Sequence, residues 1–227
     1  MNKYKDIHIW EFPPTLTFIG LKKEFRLKLF RDLKFRSKSI TNLLNQINKL
    51  ALKYKLKRNY NTGHLSSWNK GYKKDRGKIK NINLPLWLLI EISKILSESR
   101  KINNKMMIEI ENNIEYYTGT GKSHHISKPK LPLYLTPEMI SVIFNFVGDV
   151  HIGKKRVMSS YRQMNKDSLT NFLRKLQNIF GNFEYPEKEF DTGRLNIPKI
   201  ITEFYVYYFN LPNTDTFEAY IPENIKK

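Results

Sequence analysis

The sequence predicts an α+β protein in two parts, an all-α N-terminal domain and a C-terminal domain of order α-β-β-α-β-β-α. Three observations predict it. Apolar residues recur at helical spacing through most of residues 21–117. Beyond residue 133, helical patterns alternate with short stretches of period two. Charge is segregated as well: residues 21–80 hold 19 Lys or Arg against three acids (Glu24, Asp32, Asp75), whereas residues 81–227 hold 19 basic and 16 acidic groups. A chain of 227 residues suffices for two modest cores.

Each element can be justified in order. Residues 1–20, including "HIWEFPPTLTF", form an N-terminal extension to which the sequence assigns no role. Leu21, Phe25, Leu29 and Leu33 recur at i+4 and predict a first helix. Ser39 is the expected N-cap of a second, with an apolar face of Ile40, Leu43, Leu44, Ile47, Leu50, Ala51 and Tyr54. After the polar break "LKRNYN", "TGHLSSWNKG" reads as a short helix with Leu65 and Trp68 inward and Gly71 as its stop. Pro85 starts the strongly apolar helix "LPLWLLIEISKIL", and "MMIEIENNIEYY" fits helix and strand equally. Residues 118–132 read as a linker, rich in Gly and Pro pairs.

The domain of residues 133–227 opens with Thr136 as N-cap, Pro137 at the first helical position and Glu138 at the positive helix end. That helix, "PEMISVIFNFVG", is apolar almost all round and is expected to be buried on several sides. A hairpin over His151–Met164 follows, then an amphipathic helix through Leu169, Phe172, Leu176 and Phe180. A second strand pair over Phe183–Asn196 and an aromatic-rich helix from Pro198 complete the domain.

Composition narrows the function. Without cysteine, neither a disulfide framework nor a thiolate zinc site is possible. The start lacks a long apolar run and no stretch reaches membrane-span length, so a cytoplasmic protein with no membrane partner is expected. A genome-wide lysine bias would spread charge evenly; its confinement to one segment points to a polyanion partner. "TGTGKS" ends like a phosphate-binding loop, but Tyr116 stands where the motif needs its first Gly, and "HHISKPK" follows instead of a helix. The His124–His125 pair reads as solvated linker, since no second ligand pair accompanies it.

The basic segment runs helix, helix, turn, short helix, helix. With Leu65 and Trp68 inward, Thr62, His64 and Ser67 face outward and Lys70 flanks them. A small polar helix with basic flanks suits the major groove of duplex DNA, with phosphates held on either side. Over residues 21–100 the sequence resembles repressor-type helix-turn-helix domains: "LSSWNKG" looks like the end of their recognition helix and "LPLWLLIEISKIL" like the packing helix that follows. The "KRNYN" connection is longer than their usual turn.

Asp149 poses a separate problem. An acid at the C-terminal end of an apolar helix meets the negative helix pole and needs a cation or some other compensation. A buried helix ending in Gly148-Asp149, a basic hairpin and then "NKDSLTNFLRKLQNIFG" resemble a half-domain of the LAGLIDADG homing endonucleases, over residues 131–210. The lead-in "KPKLPLYLTPEMI" looks like that of archaeal members preceded by a helix-turn-helix domain.

The resemblance implies site-specific, metal-dependent hydrolysis of DNA phosphodiesters. Asp149 matches the ligand for Mg²⁺ or Mn²⁺. Asn165 falls where a polar residue stands near the metal, and Lys199 matches the basic pocket residue, making Asp149, Asn165 and Lys199 the catalytic candidates. The strand facing the groove would carry Lys155, Arg156, Ser160 and Arg162. No small-molecule cofactor is implied, and two active sites require a homodimer through the helix of residues 136–149. Three features depart from the family pattern: Val150 follows the acid in place of Gly, Phe144 occupies the helix-crossing position, and the second strand pair is acidic (Glu184, Glu187, Glu189, Asp191). The expectation is a DNA-binding relative of these enzymes, degenerate or a fragment of a longer one. The alternatives are a non-catalytic DNA-binding regulator and, more weakly, an RNA-binding protein, since most of the 13 Tyr and 14 Phe sit at core spacing.

Overall fold

The structure, a computed structural model, describes residues 4–70, 72–73, 79–80, 82–97, 100–120, 124–152, 158–185 and 187–211. In chain order the elements begin with β1 (Asp6–Ile7), a 3-10 turn (Ile9–Glu11), β2 (Phe18–Leu21), α1 (Lys23–Ser37), α2 (Ile40–Lys53) and α3 (Thr62–Lys70). Then come β3 (Tyr72–Lys73), β4 (Ile79–Lys80), β5 (Leu84–Pro85), α4 (Leu86–Leu96), α5 (Arg100–Asn112), β6 (Ile114–Thr118), β7 (Ile126–Ser127) and β8 (Leu133–Tyr134). The chain continues through α6 (Pro137–Gly148), β9 (Val150–His151), β10 (Ser159–Arg162), α7 (Lys166–Phe180), a second 3-10 segment (Glu187–Thr192), β11 (Arg194–Ile197) and α8 (Lys199–Tyr208). The protein is mixed α+β. Among the described residues, no helix is long and apolar enough to cross a membrane.

The chain divides into two compact units, Phe18–Glu115 and Met1–Thr17 with Tyr116–Lys227. In the Phe18–Glu115 unit, α1 buries Phe25, Leu29, Phe30 and Leu33, as the i+4 spacing requires, and α2 buries Leu43, Ile47 and Ala51. Two residues join these helices. Lys38 takes φ 60°, and the Ser39 hydroxyl accepts the Asn42 N–H at 3.1 Å, the expected cap. Helix α4 is nearly all core, and its buried Glu91 accepts hydrogen bonds from Tyr54 Oη at 2.9 Å and Lys94 Nζ at 2.7 Å. The stretch "MMIEIENNIEYY" resolves into both of its readings: α5 ends at Asn112 and β6 begins at Ile114.

The second unit takes in residues that the sequence assigned to an extension and a linker. Ile7, Ile9 and Phe12 are wholly buried; β1 pairs antiparallel with β8, and the Phe12 ring lies 4.5 Å from Phe204 and 5.7 Å from Tyr117. Within residues 118–132, β7 pairs with β6, Ile126 is fully buried, and the His125 ring stacks on Tyr116 at 4.7 Å. The His125 ring stays exposed on its outer side while stacked on Tyr116, and its partial burial, then the neighbouring His124, lowers its pKa.

Three antiparallel strands in the order β11-β10-β9 form a sheet. Its inner face, Tyr161 and Leu195, is buried, and Tyr161 packs on Phe172 of α7 at 4.2 Å. The expected strand pair over Phe183–Asn196 is a single strand, β11, preceded by the 3-10 segment. In "EKEFDT" only Phe190 and Thr192 favour a strand and no apolar–polar alternation runs through it, and the chain enters β11 through Gly193 at φ 64°.

Phe12→Ala should destabilise the protein by about 3–5 kcal/mol, the usual cost of emptying a buried phenylalanine site. Phe35→Ala, at a side chain 89% exposed, should stay within about 0.5 kcal/mol of the parent. Urea denaturation of both variants tests whether the N-terminal segment is core; equal effects would show that it is not.

Candidate functional site

The short helix α3 is the first candidate. It buries Leu65 and Trp68 and exposes Thr62, Gly63, Ser66 and Lys70. Nine residues make a marginal helix alone, so tertiary contacts must hold it. At its start Asn61 is the N-cap, its Oδ1 accepting the His64 N–H at 3.2 Å. The Asn48 side chain bonds both backbone groups of Tyr60, accepting its N–H at 2.7 Å and donating to its carbonyl at 3.0 Å. At the other end the buried Arg26 donates from Nε to the Asn69 carbonyl at 3.3 Å, a cation at the negative helix pole. Tyr60 packs between Trp68 at 5.1 Å and Trp87 at 5.8 Å.

Two residues expected on the outer face turn aside. His64 is half-buried; its Nδ1 lies 2.8 Å from Asn61 Oδ1 and its Nε2 lies 2.9 Å from Arg58 Nη2. The guanidinium can only donate, so Nε2 accepts from it, while Nδ1 faces both the Asn61 Oδ1 and, at 3.2 Å, the Asn61 N–H, so both nitrogens are engaged. Ser67 is likewise half-buried, and Ser66 takes its place outward in line with Thr62 and Lys70. Sequence reasoning also missed Arg58, whose guanidinium sits 5.6 Å over the Tyr60 ring beside the start of α3. Elsewhere in the same unit Lys34, Arg36, Lys38, Lys49, Lys53, Lys55 and Lys57 are exposed.

The second candidate is the end of α6. Thr136 Oγ1 accepts the Met139 N–H at 3.2 Å, so the helix starts at the expected cap. It is buried on one face only, through Met139, Val142, Ile143 and Phe146, and not on several sides. Ile140 and Val147 are half-exposed, Phe144 is 53% exposed, and a Cβ on Gly148 would meet nothing within 4 Å. Twelve residues present one stripe to α7 and α8, and the remaining apolar residues fall outside it.

Asp149 is exposed at the C-terminal end of α6, its N–H bonded to the Asn145 carbonyl at 2.8 Å. It lies close enough to Tyr161 that, after burial, its charge is the main influence raising that phenol's pKa. Among the described residues no three His, Asp or Glu side chains converge as a metal cluster. Asn165 serves as the N-cap of α7, its Oδ1 accepting the Asp167 N–H at 2.8 Å.

The outer face of the sheet is polar. Registers place His151, Ser160 and Asn196 in one row and Arg162 opposite Arg194 in the next. Ser160 thus shares a face with Arg162, but it is fully buried on the central strand between His151 and Asn196. Arg162 is exposed. Lys155 and Arg156 lie outside the described residues. Asp191 lies in the 3-10 segment, and β11 itself contributes Arg194 and Asn196 to this face.

Lys199 opens α8 and pairs with Glu203 at 3.6 Å. They line a cleft of about 560 Å³ with Thr202, Ser159, Ile152, Leu16 and residues near the end of α8. Glu203 Oε1 also accepts from Thr120 at 3.2 Å, while Oε2 is buried without a partner. Gly119 packs so tightly on this turn that a Cβ would lie 2.9 Å from the Ile200 nitrogen. Burial, opposed by Lys199 and Thr120, raises the Glu203 carboxyl to about 7.

Set against protein-family models, curated proteins and solved structures, the chain matches none of them.

The Glu203 carboxyl gives a signed prediction. Its folded pKa exceeds the unfolded value, so the folded protein binds the extra proton and stability falls as pH rises from about 4.5 to about 7. Glu203→Gln should remove that loss, so the variant gains on wild type across this window and holds a constant margin above it. Thermal midpoints of both proteins from pH 4.5 to 8 check this; parallel curves would contradict it.

Proposed function

We propose that the protein binds duplex DNA through the outer face of α3, as a helix-turn-helix-like unit, and that its second unit is a LAGLIDADG-like half-domain. The observation that carries the reading is the α3 face itself. Thr62, Gly63, Ser66 and Lys70 are small, polar or basic and free of acids, on a helix pinned at both ends. Small side chains admit a close approach to base edges, and the exposed lysines of the same unit suit phosphates. The α6–β9–β10–α7–β11–α8 order, the polar sheet face and Asp149 at the exposed end of α6 support the second part.

Asp149 would contribute one carboxylate to a divalent cation, a donor set completed by DNA phosphates and by a second copy docked along Ile140, Phe144, Val147 and Gly148. A bound Mg²⁺ or Mn²⁺ supplies Lewis-acid activation for phosphodiester hydrolysis. Phe144 favours the second reading, a DNA-binding regulator without efficient cleavage. Its exposed ring stands where two such helices would meet, and overpacking a close crossing costs about 1–3 kcal/mol per site.

Binding of the intact protein to duplex DNA should weaken steeply with salt, because neutralised phosphates release counterions. Lys70→Ala should lower the log–log slope by about one. Thr62→Ala with Ser66→Ala should reduce preference among sequences with little change in slope. A salt-independent affinity, or no binding at low salt, would refute the reading. Calorimetric Mg²⁺ titration of Asp149→Asn on the DNA complex separates its two halves: metal binding lost with Asp149 supports the endonuclease-like half, and identical binding supports the regulator.

A further inference from the structure

Arg162 and Arg194 are directly opposed in the antiparallel β10–β11 register. Opposed residues on one face hold their Cβ atoms about 5 Å apart, and like charges there destabilise the pair. Neither arginine can shed its charge. Both line a cleft of about 650 Å³ with Gln163, Met164, Thr192 and Gly193, and no carboxylate is among the lining residues. Arg194 Nε is buried with no hydrogen-bond partner, and among the described residues no ion pair engages either guanidinium. The adjoining acid, Asp191, is taken by Lys166 at 2.8 Å.

We propose that Arg162 and Arg194 form an oxyanion site that takes one phosphate group. The anion sits between the two guanidiniums, cancels their repulsion and accepts from guanidinium donors the protein leaves unused. Guanidinium pairs suit this geometry, since each presents parallel N–H groups to two oxygens. Gly193, at φ 64°, brings the backbone to the cleft; a Cβ there would lie 3.1 Å from the Gln163 carbonyl. The site opens at the surface, where Arg162 is exposed and Met164 is 97% exposed, so a phosphate within a larger molecule can enter. Assigning that phosphate to a nucleic-acid backbone rests on the DNA-binding reading above. The oxyanion site itself does not.

The test uses the full chain, wild type and the Arg162→Met, Arg194→Met and double variants. In phosphate-free, low-salt buffer each single variant should have a higher thermal midpoint than wild type, because it removes the repulsion, and the second substitution should add little. Inorganic phosphate, at matched ionic strength, should raise the wild-type midpoint by several degrees and leave the double variant unmoved. With duplex DNA the double variant should lower the salt slope by about one, since both arginines serve one phosphate. A phosphate response without DNA binding supports the site, assigns it to a free phosphate-bearing ligand and refutes the DNA reading alone. A wild-type midpoint that phosphate shifts no more than the double variant's overturns the site, whatever the DNA arm reads.

Discussion

The Asn48 amide gives one hydrogen bond and takes another at a single backbone residue, Tyr60, and that exchange determines where α3 begins. A nine-residue helix with two buried side chains cannot hold its own position. Its N-terminus is set by Asn48 and the Asn61 cap, and its C-terminus by Arg26 on the Asn69 carbonyl. Each such hydrogen bond contributes only about 1 kcal/mol, somewhat more for the charged one. Their value lies in direction: with both ends fixed, the rotation of α3 about its axis is fixed too. Trp68 inward then requires Thr62, Ser66 and Lys70 outward.

The long connection from α2 to α3 follows from the same constraint. It carries Tyr54 to Glu91 and Trp87, and Tyr60 to Trp68 and Trp87, so aromatic packing replaces a tight turn. Burying Tyr60 and Trp68 also draws in His64, which then spends both ring nitrogens on Asn61 and Arg58. The loss of His64 from the outer face and the positioning of Arg58 beside it are one event.

Local signals made much of this legible. Ser39 and Thr136 cap the helices they were expected to cap, and the i+4 rows of α1 and α2 face inward. Whatever depends on distant contacts was not legible. Nothing in "HIWEFPPTLTF" announces that Phe12 meets Phe204, because the partner lies almost two hundred residues away. The linker-like composition of residues 118–132 concealed Ile126, a single buried residue on a two-residue strand. At the candidate site, periodicity found α3 but slipped by one residue at Ser66, because a short helix with two apolar anchors leaves its rotation loosely defined. The acidic composition of the stretch before β11 gave no sign that the register would place Arg194 opposite Arg162.

The central claim is that α3 is the surface that meets DNA. Amide hydrogen exchange of the intact protein, with and without a saturating AT-rich duplex at low salt, tests it most directly. The account predicts slowed exchange concentrated at residues 58–70, where backbone and side chains would lie against the groove. Protection confined to other elements, or exchange unchanged by DNA throughout the chain, would contradict it.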